Sequence, residues 1–252
     1  MTGKVFLVGA GPGDPDLITI KAIKALQAAD VVLLDDLVNR ELLQHAPRAR
    51  VVEVGKRGGC KSTPQHFINR MMVALAEQGQ TVARLKGGDP ILFGRGGEEM
   101  LAMQAAGIAT EIIPGVTSGL AVPASIGIPV THREFTHGVT FVTGHIKDGT
   151  SGDNGRDWQA LVSGGTTLVI YMGMKRLAAI VSELLAAGMP ANTPAAAIQQ
   201  GTLPDQRHVI SSLEALPMAV QQQELASPAI VVVGDVVRLA NKSLVCTLAA
   251  AA

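Results

Sequence analysis

Two glycine-rich segments each follow a buried apolar run, and their position constrains the fold more than any other feature of the sequence. Residues 8–14 read Val-Gly-Ala-Gly-Pro-Gly-Asp, and residues 85–90 read Leu-Lys-Gly-Gly-Asp-Pro. Glycine lets the backbone turn sharply, and it lets a ligand come close because it has no Cβ. In an open α/β sheet, small ligands bind outside the carboxyl ends of the strands. The two segments therefore predict an α/β fold with one ligand pocket that both of them line.

The first segment departs from the fingerprint of dinucleotide-binding folds. That fingerprint has three glycines that open directly into a helix and an acidic residue about 20 positions later. The first two glycines match, but Asp14 replaces the third, and Pro12 removes a backbone N–H that a pyrophosphate would need. Asp35 or Asp36 is placed to bind a ribose, so a nicotinamide-dependent oxidoreductase stays open as an alternative. A P-loop is excluded, because the chain has no G-x-x-x-x-G-K-[ST] segment.

The composition bounds the size of the fold and the partners of the chain. With 252 residues, of which 47% are hydrophobic, the chain can form one large or two small domains. The 21 basic and 21 acidic residues cancel, and only 3% of the residues are aromatic, so neither nucleic acid nor an anionic membrane is an expected partner. The sequence shows neither a membrane-spanning run nor a signal peptide, which predicts a cytoplasmic protein.

The cysteines and histidines do not form a recognisable metal site. Cys60 and Cys246 are far apart in the sequence and are expected to be reduced thiols. His132 and His137 lack the H-E-x-x-H spacing, and the other histidines are scattered. There is also no G-x-S-x-G elbow. We therefore expect no metal and no covalent hydrolase.

The first half of the chain alternates strand and helix patterns, which predicts a parallel sheet with helices on its faces. The clearest helix signals are Thr63 as N-cap, Pro64 at the first helical position and Gly79 just past the end. The predicted strands span residues 4–8, 30–34, 51–54, 81–85 and 110–113, and the predicted helices span 19–29, 64–78 and 97–106.

A Pro-Gly interruption at residues 114–115 suggests a boundary between two domains, 1–115 and 116–245. A short link between residues 194–199 and 207–211 predicts a hairpin, so the second sheet should be mixed. The fold class expected from these patterns is two α/β domains, one with a parallel sheet and one with a mixed sheet. The remaining predicted strands span 138–143, 166–171 and 229–234, and the predicted helices, after a small-residue helix that ends by 127, span 175–187 and 213–223.

Three loops carry clustered cations. Residues 55–61, 131–133 and 144–147 together contain arginine, lysine and histidine side chains that can pair with carboxylates. These loops are interpreted either as contacts for a polyanionic substrate or as solvated basic turns.

Nine segments resemble, in order, those of the S-adenosylmethionine-dependent tetrapyrrole methyltransferases. The resemblance spans roughly residues 4–240, nearly the whole chain. The sister precorrin methyltransferases share the first loop and the Gly-Gly-Asp-Pro segment, whereas Gly-Lys-Arg at 55–57 and Thr-His-Arg at 131–133 resemble uroporphyrinogen-III C-methyltransferases in particular. The nine segments are residues 9–14, 35–38, 55–57, 84–90, 93–99, 114–118, 127–133, 143–145 and 171–173.

The resemblance implies two successive methylations of uroporphyrinogen III, at C2 and C7, to give precorrin-2 for sirohaem, cobalamin or haem d1 biosynthesis. It implies S-adenosylmethionine as donor, a ligand site in the cleft between two α/β domains, and a homodimer. Some relatives carry a fused dehydrogenase–ferrochelatase module, and this chain is expected to be monofunctional. The alternatives are a sister precorrin methyltransferase that acts on a later intermediate, and a non-catalytic binding protein.

The resemblance also implies roles for individual residues. Asp35 matches a proton acceptor and Lys56 a proton donor, although Asp35 can also be a strand-end helper and Lys56 a carboxylate anchor. Met172 can also be a plain core methionine. The implied donor contacts are Pro12, Gly87, Gly88, Asp89, Leu92, Thr117, Ser118, Met172 and Gly201, and the implied substrate contacts are Arg57, Arg95, His132, Arg133 and Lys147.

Two departures from the family pattern concern the substrate side. Asp36 stands where some relatives have arginine, and Gly58-Gly59-Cys60 replaces a more usual alanine-glycine-aromatic turn. Methyl transfer to a pyrrole carbon needs near-attack geometry, carboxylates that stabilise the cationic product and a base for the departing proton. Because both departures lie on the substrate side, we expect them to affect how the macrocycle is held and to leave the donor residues unchanged.

Overall fold

A computed structural model describes residues 2–55, 63–145 and 157–240. Lys56, Arg57, Lys147 and both cysteines lie outside these residues. The chain divides into two compact units, Met1–Ser118 and Gly119–Ala252, and each unit contains its own five-stranded sheet. The first sheet is entirely parallel and the second is mixed, which confirms the fold class expected from the sequence.

The first unit is a parallel sheet with the strand order β3-β2-β4-β1-β5. Its central strands are buried on both faces, as expected for apolar strands that are covered by helices on each side. Because all five strands run in the same direction, their carboxyl ends lie along one edge of the sheet. The elements are β1 (Lys4–Gly9), β2 (Val31–Leu34), β3 (Arg50–Glu53), β4 (Val82–Lys86) and β5 (Ala109–Ile113), with α1 (Ile20–Gln27), α2 (Gln65–Glu77) and α3 (Gly96–Ala105), and 3-10 helices at Pro15–Leu17 and Arg40–His45.

Side chains that alternate along the strands build a separate core on each face of this sheet. Phe6 and Val8 pack with Leu26 of α1, whereas Val5 and Leu7 pack with the residues of α2 and α3 on the opposite face. Alternation of this kind follows from the two-residue period of a strand. The cores fix the strands, and the strands in turn fix where the loops at the carboxyl edge begin.

The predicted start of α2 is wrong by one position. Pro64 is itself the N-cap, with an extended ψ of 137°, and no side chain caps this helix. The carbonyl of Pro64 accepts the first helical hydrogen bonds, from Phe67 and Ile68. Thr63 therefore lies one residue too early to act as N-cap. The predicted end is confirmed, because Gly79 follows the helix with a φ of +83°.

The second unit has the strand order β6-β7-β10-β8-β9. The hairpin between β8 and β9 is confirmed as an antiparallel pair. Strand β6 is parallel to β7, and β10 is antiparallel to both β7 and β8, so the carboxyl ends of β6, β7 and β8 share one edge. The elements are β6 (Val139–Thr143), β7 (Thr167–Tyr171), β8 (Pro194–Gln199), β9 (Arg207–Ser212) and β10 (Ala229–Val233), with α4 (Ser118–Ser125), α5 (Trp158–Ser163), α6 (Leu177–Ala186) and α7 (Leu216–Gln222), and 3-10 helices at Met174–Arg176 and Asp235–Leu239.

Helix α5 is absent from the sequence prediction. It has six residues, and Asp157 caps its N-terminus by accepting a 2.9 Å hydrogen bond from the Ala160 nitrogen. None of the helices in the described part of the chain is long and apolar enough to cross a membrane.

Candidate active site

Backbone hydrogen bonds join the loops that follow β1 and β4. The Gly11 nitrogen donates to the Gly88 oxygen at 3.2 Å, and the Gly88 nitrogen donates to the Gly11 oxygen at 2.6 Å. A third bond, from the Ala10 nitrogen to the Lys86 oxygen, measures 2.8 Å. We call residues 9–13 and 87–89 the paired loops. These are the two glycine-rich segments of the sequence, and the structure brings them together at the carboxyl edge of the first sheet.

Glycine is required where the paired loops meet the loop after β5. A Cβ on Gly9 would lie 2.6 Å from the Gly115 Cα and 2.7 Å from the Gly88 oxygen. A Cβ on Gly115 would lie 2.8 Å from the Cα of Gly9. Gly88 has a φ of +65°, which favours glycine. Three backbone segments therefore pass one another at distances that side chains would prevent.

Asp89 fastens two of these loops. One carboxylate oxygen accepts hydrogen bonds from the backbone nitrogens of Ile91 at 2.8 Å and Leu92 at 3.1 Å, and the other accepts from Gly115 at 3.2 Å. Hydrogen bonds to a carboxylate are stronger than those between neutral groups. Asp89 therefore fixes the turn after β4 and connects it to the loop after β5.

Seven of the predicted donor contacts lie in these loops. Asn39 donates from its side-chain nitrogen to the Gly13 oxygen at 3.0 Å, which holds the turn that contains Pro12. A Cβ on Gly88 would come within 3.6 Å of the Ser118 hydroxyl and 4.0 Å of the Thr117 Cα. The seven residues brought together at this edge are Pro12, Gly87, Gly88, Asp89, Leu92, Thr117 and Ser118.

A buried ion cluster lies beside the paired loops. Glu99 of α3 is fully buried, and one of its oxygens accepts hydrogen bonds from Arg84 at 3.1 Å, Lys86 at 3.2 Å and Gln65 at 2.9 Å. Arg84 and Lys86 are 2% and 4% exposed, on one face of β4. Arg84 also forms an ion pair with Asp35 at 3.3 Å. We call Asp35, Arg84, Lys86, Glu99 and Gln65 the buried ion cluster.

The cluster gives Lys86 an unusual environment. Burial lowers the pKa of Lys86, and the neighbouring charge of Arg84 lowers it further, while Glu99 opposes both effects. The sequence reasoning did not identify this cluster. The available signal was two cations, Arg84 and Lys86, at alternate positions of a strand that is otherwise apolar, because buried cations require partners.

Asp35 extends from the cluster toward solvent. Its side chain is 33% exposed, and it lines a small surface depression at the ends of β2 and β3. Asp36 lines the same depression, as do Arg40 and Glu53, which pair at 2.8 Å. The carboxylate of Asp35 therefore faces solvent on one side and Arg84 on the other.

Arg95, predicted as a substrate contact, stands at the start of α3 with a φ of +59°. Its Nε and Nη2 atoms donate to the two carboxylate oxygens of Glu98, at 2.9 and 2.6 Å. The hydrogen bond with Glu98 raises the pKa of Arg95. The paired guanidinium is half-exposed, so it presents an oriented charge rather than a freely rotating one.

The second unit brings its two predicted donor contacts to one sheet edge. Met172 follows β7 and Gly201 follows β8, and these strands end at the same edge. Met172 is 51% exposed, so it is not a core methionine. A Cβ on Gly201 would lie 2.8 Å from the Cβ of Val122, which belongs to α4.

Tyr171 connects this edge to the start of α4. Its hydroxyl accepts a 2.6 Å hydrogen bond from the Gly119 nitrogen. Its ring packs edge-on against that of Phe141, with the ring centroids 6.1 Å apart. A Cβ on Gly119 would lie 2.8 Å from the Phe141 ring, so glycine admits both aromatic side chains. Tyr171 was not predicted as a site residue, although it directly precedes Met172.

His132 and Arg133 lie on a turn before β6, at the opposite end of that strand from Thr143. The backbones of His132 and Thr136 exchange hydrogen bonds, and the Thr136 hydroxyl donates to the Gly165 oxygen just before β7. The His132 Nδ1 accepts from the Glu134 nitrogen at 3.2 Å, and Arg133 is exposed. Within the second unit, the structure therefore does not bring these two residues together with Met172 and Gly201.

Strained backbone is concentrated beside the predicted site residues. Six non-glycine residues in the described part of the chain have positive φ, and five of them are or adjoin predicted site residues. Residues in this conformation persist where the surrounding structure holds them, and they cluster at ligand sites. These five are Phe93, Arg95, Met172, Gln200 and Thr202.

Comparison with known proteins identifies the family. The sequence profile of the Tetrapyrrole (Corrin/Porphyrin) Methylases matches residues 4–217. The chain belongs to the tetrapyrrole methylase family. A curated relative in this family, the uroporphyrinogen-III C-methyltransferase of Pseudomonas aeruginosa, is 54% identical over 94% of this chain and 96% of its own length. The family predicted from the nine segments is thereby confirmed.

Two further relatives place the chain within the family. The siroheme synthase of Pseudomonas aeruginosa strain UCBPP-PA14 is 50% identical over 96% of this chain, which spans about half (51%) of that longer protein. The crystal structure of the Thermus thermophilus uroporphyrin-III C-methyltransferase, complexed with S-adenosylhomocysteine, has a TM-score of 0.79 and 39% identity, and the match covers 94% of this chain and 99% of that one. The predicted enzyme class, a methyltransferase, is confirmed by these relatives.

The structure also argues against the nicotinamide alternative. In a dinucleotide-binding loop, the glycine N–H groups point at the pyrophosphate. Here the Gly11 nitrogen donates to Gly88 instead.

Within the described ranges, no group of three histidine, cysteine, aspartate or glutamate side chains could hold a metal ion.

Proposed function

We propose that this chain transfers methyl groups from S-adenosylmethionine to C2 and C7 of uroporphyrinogen III, giving precorrin-2. The observation that carries the proposal is the 54% identity to a uroporphyrinogen-III C-methyltransferase over nearly the full length of both chains. The donor is supported by the S-adenosylhomocysteine in the Thermus relative.

The loops of the first unit suit a donor of this chemistry. S-adenosylmethionine carries an adenine ring, a ribose and an amino-acid group, which backbone polar groups and apolar side chains can recognise without a metal. The paired loops and the Asp89 turn present backbone that no Cβ covers at Gly87 and Gly88, and Met172 offers an exposed apolar side chain. We assign the donor contacts to Pro12, Gly87, Gly88, Asp89, Leu92, Thr117, Ser118, Met172 and Gly201.

The chain's own residues have three tasks in this reaction. Bound S-adenosylmethionine supplies an electrophilic methyl group. The paired loops hold the donor in the orientation for in-line attack, and positioning of this kind can lower a barrier by up to about 7–11 kcal/mol. Asp35 stabilises the positive charge that develops on the macrocycle and accepts the proton that leaves it. Lys56 is the proposed proton donor; because each transfer releases one proton overall, a proton that Lys56 gives to the macrocycle is matched by a second proton that the macrocycle loses to solvent.

Cations anchor the carboxylates of the substrate. Arg95 is oriented by Glu98, so its remaining donors are presented in a fixed direction. Arg133 is exposed, and His132 can donate only through Nε2 when neutral, because Nδ1 accepts a hydrogen bond. Arg57 and Lys147 complete the proposed set. A cytoplasmic location, a homodimer, and the domain boundaries at 115 and 245 stay predictions.

The test is an anaerobic incubation with methyl-labelled S-adenosylmethionine and freshly generated uroporphyrinogen III, followed by mass and absorbance. We expect a product with two labelled methyl groups from the parent protein. An Asp89→Ala variant should transfer methyl groups about 100-fold more slowly or worse. Its matched control is Asp157→Ala, which removes another aspartate that accepts a backbone N–H. Donor binding with no transfer to this tetrapyrrole would contradict the substrate, and a sister precorrin methyltransferase would then replace it.

A further inference from the structure

The buried ion cluster contains one residue that connects the protein interior to the proposed proton acceptor. Each of the three nitrogens of the Arg84 guanidinium contacts a different acceptor. Nε donates to Glu99 at 3.1 Å, Nη1 to the Leu33 oxygen at 3.4 Å and Nη2 to Asp35 at 3.3 Å. A planar group that is held at three points cannot rotate. Its position therefore determines where the Asp35 carboxylate lies.

The charges of the cluster explain why Arg84 stays in place. Glu99 is fully buried and carries a negative charge that Arg84 and Lys86 balance from two directions. Gln65 adds a neutral hydrogen bond from the start of α2. With Arg84 and Lys86 both positive, the second negative charge is that of Asp35, which is only partly buried. The charges of Arg84, Lys86 and Glu99 sum to +1, and the negative charge of Asp35 brings the net charge of the cluster to zero.

From this geometry we infer that Arg84 is a positioning residue for the methyl transfer and acts through Asp35, with Glu99 as its buried counter-ion. The inference rests on the function proposed above for Asp35. Arg84 itself is 2% exposed, so it does not contact the substrate. It sets the direction of the Asp35 carboxylate, and the spacing between that carboxylate and the reacting carbon follows from this direction. Small misplacements of a catalytic group lower the rate steeply.

The test is a double-mutant cycle on kcat with the variants Arg84→Lys and Asp35→Asn. Lysine keeps the positive charge beside Glu99, but its single nitrogen on a shorter side chain cannot hold Glu99 and Asp35 together. We expect each single variant to lower kcat by about 10- to 100-fold. We expect the double variant to be no slower than Asp35→Asn within about twofold, because both changes remove the same interaction.

Three further measurements separate positioning from a merely structural role. Binding of S-adenosylhomocysteine by Arg84→Lys should stay within about twofold of the parent, with KM for the tetrapyrrole little changed while kcat falls. Arg238→Lys alters an exposed arginine–aspartate pair and should leave kcat unchanged. If Arg84→Lys does not fold, Arg84→Gln/Glu99→Gln removes one positive and one negative charge together and should give the same kcat loss.

Several results would overturn the inference. If the fold-losses in kcat of the two single variants multiply in the double variant, Arg84 acts independently of Asp35. Full activity of Asp35→Asn would show that Asp35 is not needed, so Arg84 could not act through it. Methyl transfer by the parent protein would still be established in that case. A parent protein that moves no methyl group to uroporphyrinogen III would overturn the proposed function, and the inference with it.

Discussion

The two sheets of this molecule place loops at their edges in different ways. In the first unit all five strands are parallel, so five loops begin at one edge. The loops after β1 and β4 exchange backbone hydrogen bonds, and Gly115 of the loop after β5 packs closely against both. In the second unit β9 and β10 run against the other three strands, so only the loops after β6, β7 and β8 begin at the corresponding edge. A parallel sheet concentrates loops, whereas a mixed sheet divides them between its two edges.

The loops are also fixed differently in the two units. The first unit uses a carboxylate with three backbone partners, glycines in mutual contact and a buried ion cluster. The second uses the Tyr171 hydroxyl, Gly201 packed on Val122, the close approach of Gly144 to Gly173, and a 3.4 Å hydrogen bond from Arg176 to the Gly144 oxygen. We therefore expect substitutions at the first edge to have larger effects than substitutions at the second.

The largest effect on methyl transfer should come from Asp89→Ala. The change leaves three backbone N–H groups without their carboxylate, which should cost about 2 kcal/mol or more of unfolding free energy. Methyl transfer should fall by about 100-fold or more, because the donor loop loses its shape. Urea unfolding measures the loss of stability, the labelled-methyl assay measures the loss of transfer, and calorimetric titration with S-adenosylhomocysteine measures donor binding. Asp157→Ala should cost only about 1 kcal/mol and leave binding intact.

Gly115→Ala should have the largest effect on stability. Its Cβ would press on the backbone of Gly9 and Gly88, and backbone cannot rotate away, so we expect a loss of at least about 3 kcal/mol in urea unfolding. Gly97→Ala is the matched control, because a Cβ there meets nothing within 4 Å inside α3, and it should stabilise by about 0.5–1 kcal/mol. Equal behaviour of the two variants would contradict the close backbone contact.

At the second edge, Gly201→Ala should cost about 2 kcal/mol, because its Cβ would overlap the Val122 side chain. Unlike the Gly115 case, the obstacle is a side chain that can be shortened. The double variant Gly201→Ala/Val122→Ala should therefore be more stable than the sum of the two single losses implies. Urea unfolding of the four proteins in this cycle measures the difference, and strict additivity would show that the two residues do not compete for space.

Tyr171→Phe should have the smallest effect of the four. It removes the hydroxyl that accepts from Gly119 and keeps the ring against Phe141, so the cost should be about 1 kcal/mol. If the start of α4 helps to hold the donor, KM for S-adenosylmethionine should rise by about fivefold with little change in KM for the tetrapyrrole. A loss as large as that of Asp89→Ala would contradict the ranking of the two edges.

Much of the fold could be predicted because its signals are local. Each predicted strand differs from the structure by at most one residue at either end, since buried strands are short apolar runs between turn residues. Helix ends were less predictable. Residues 213–215 were expected to be helical, but α7 begins at Leu216, and the turn at Met174–Arg176 is a 3-10 helix rather than the start of α6. Helix α5 has too few residues to show a period.

The meeting of the two glycine-rich loops could be predicted and the buried ion cluster could not. The glycines and Asp89 are adjacent in the sequence and follow strands, so topology alone brings them to one edge. Arg84 and Glu99 are 15 residues apart on different elements, and their contact depends on how α3 packs on the sheet. The positions of His132 and Arg133 before β6 likewise depend on a turn that no local pattern encodes.

The reciprocal hydrogen bonds between Gly11 and Gly88 have a kinetic consequence. They close the two glycine loops on each other through the chain's own backbone groups. A surface that is already ordered loses little conformational entropy on binding, and a ligand that meets it needs no preceding rearrangement. Donor capture at these loops should therefore proceed in a single step, with an association rate set by diffusion and orientation.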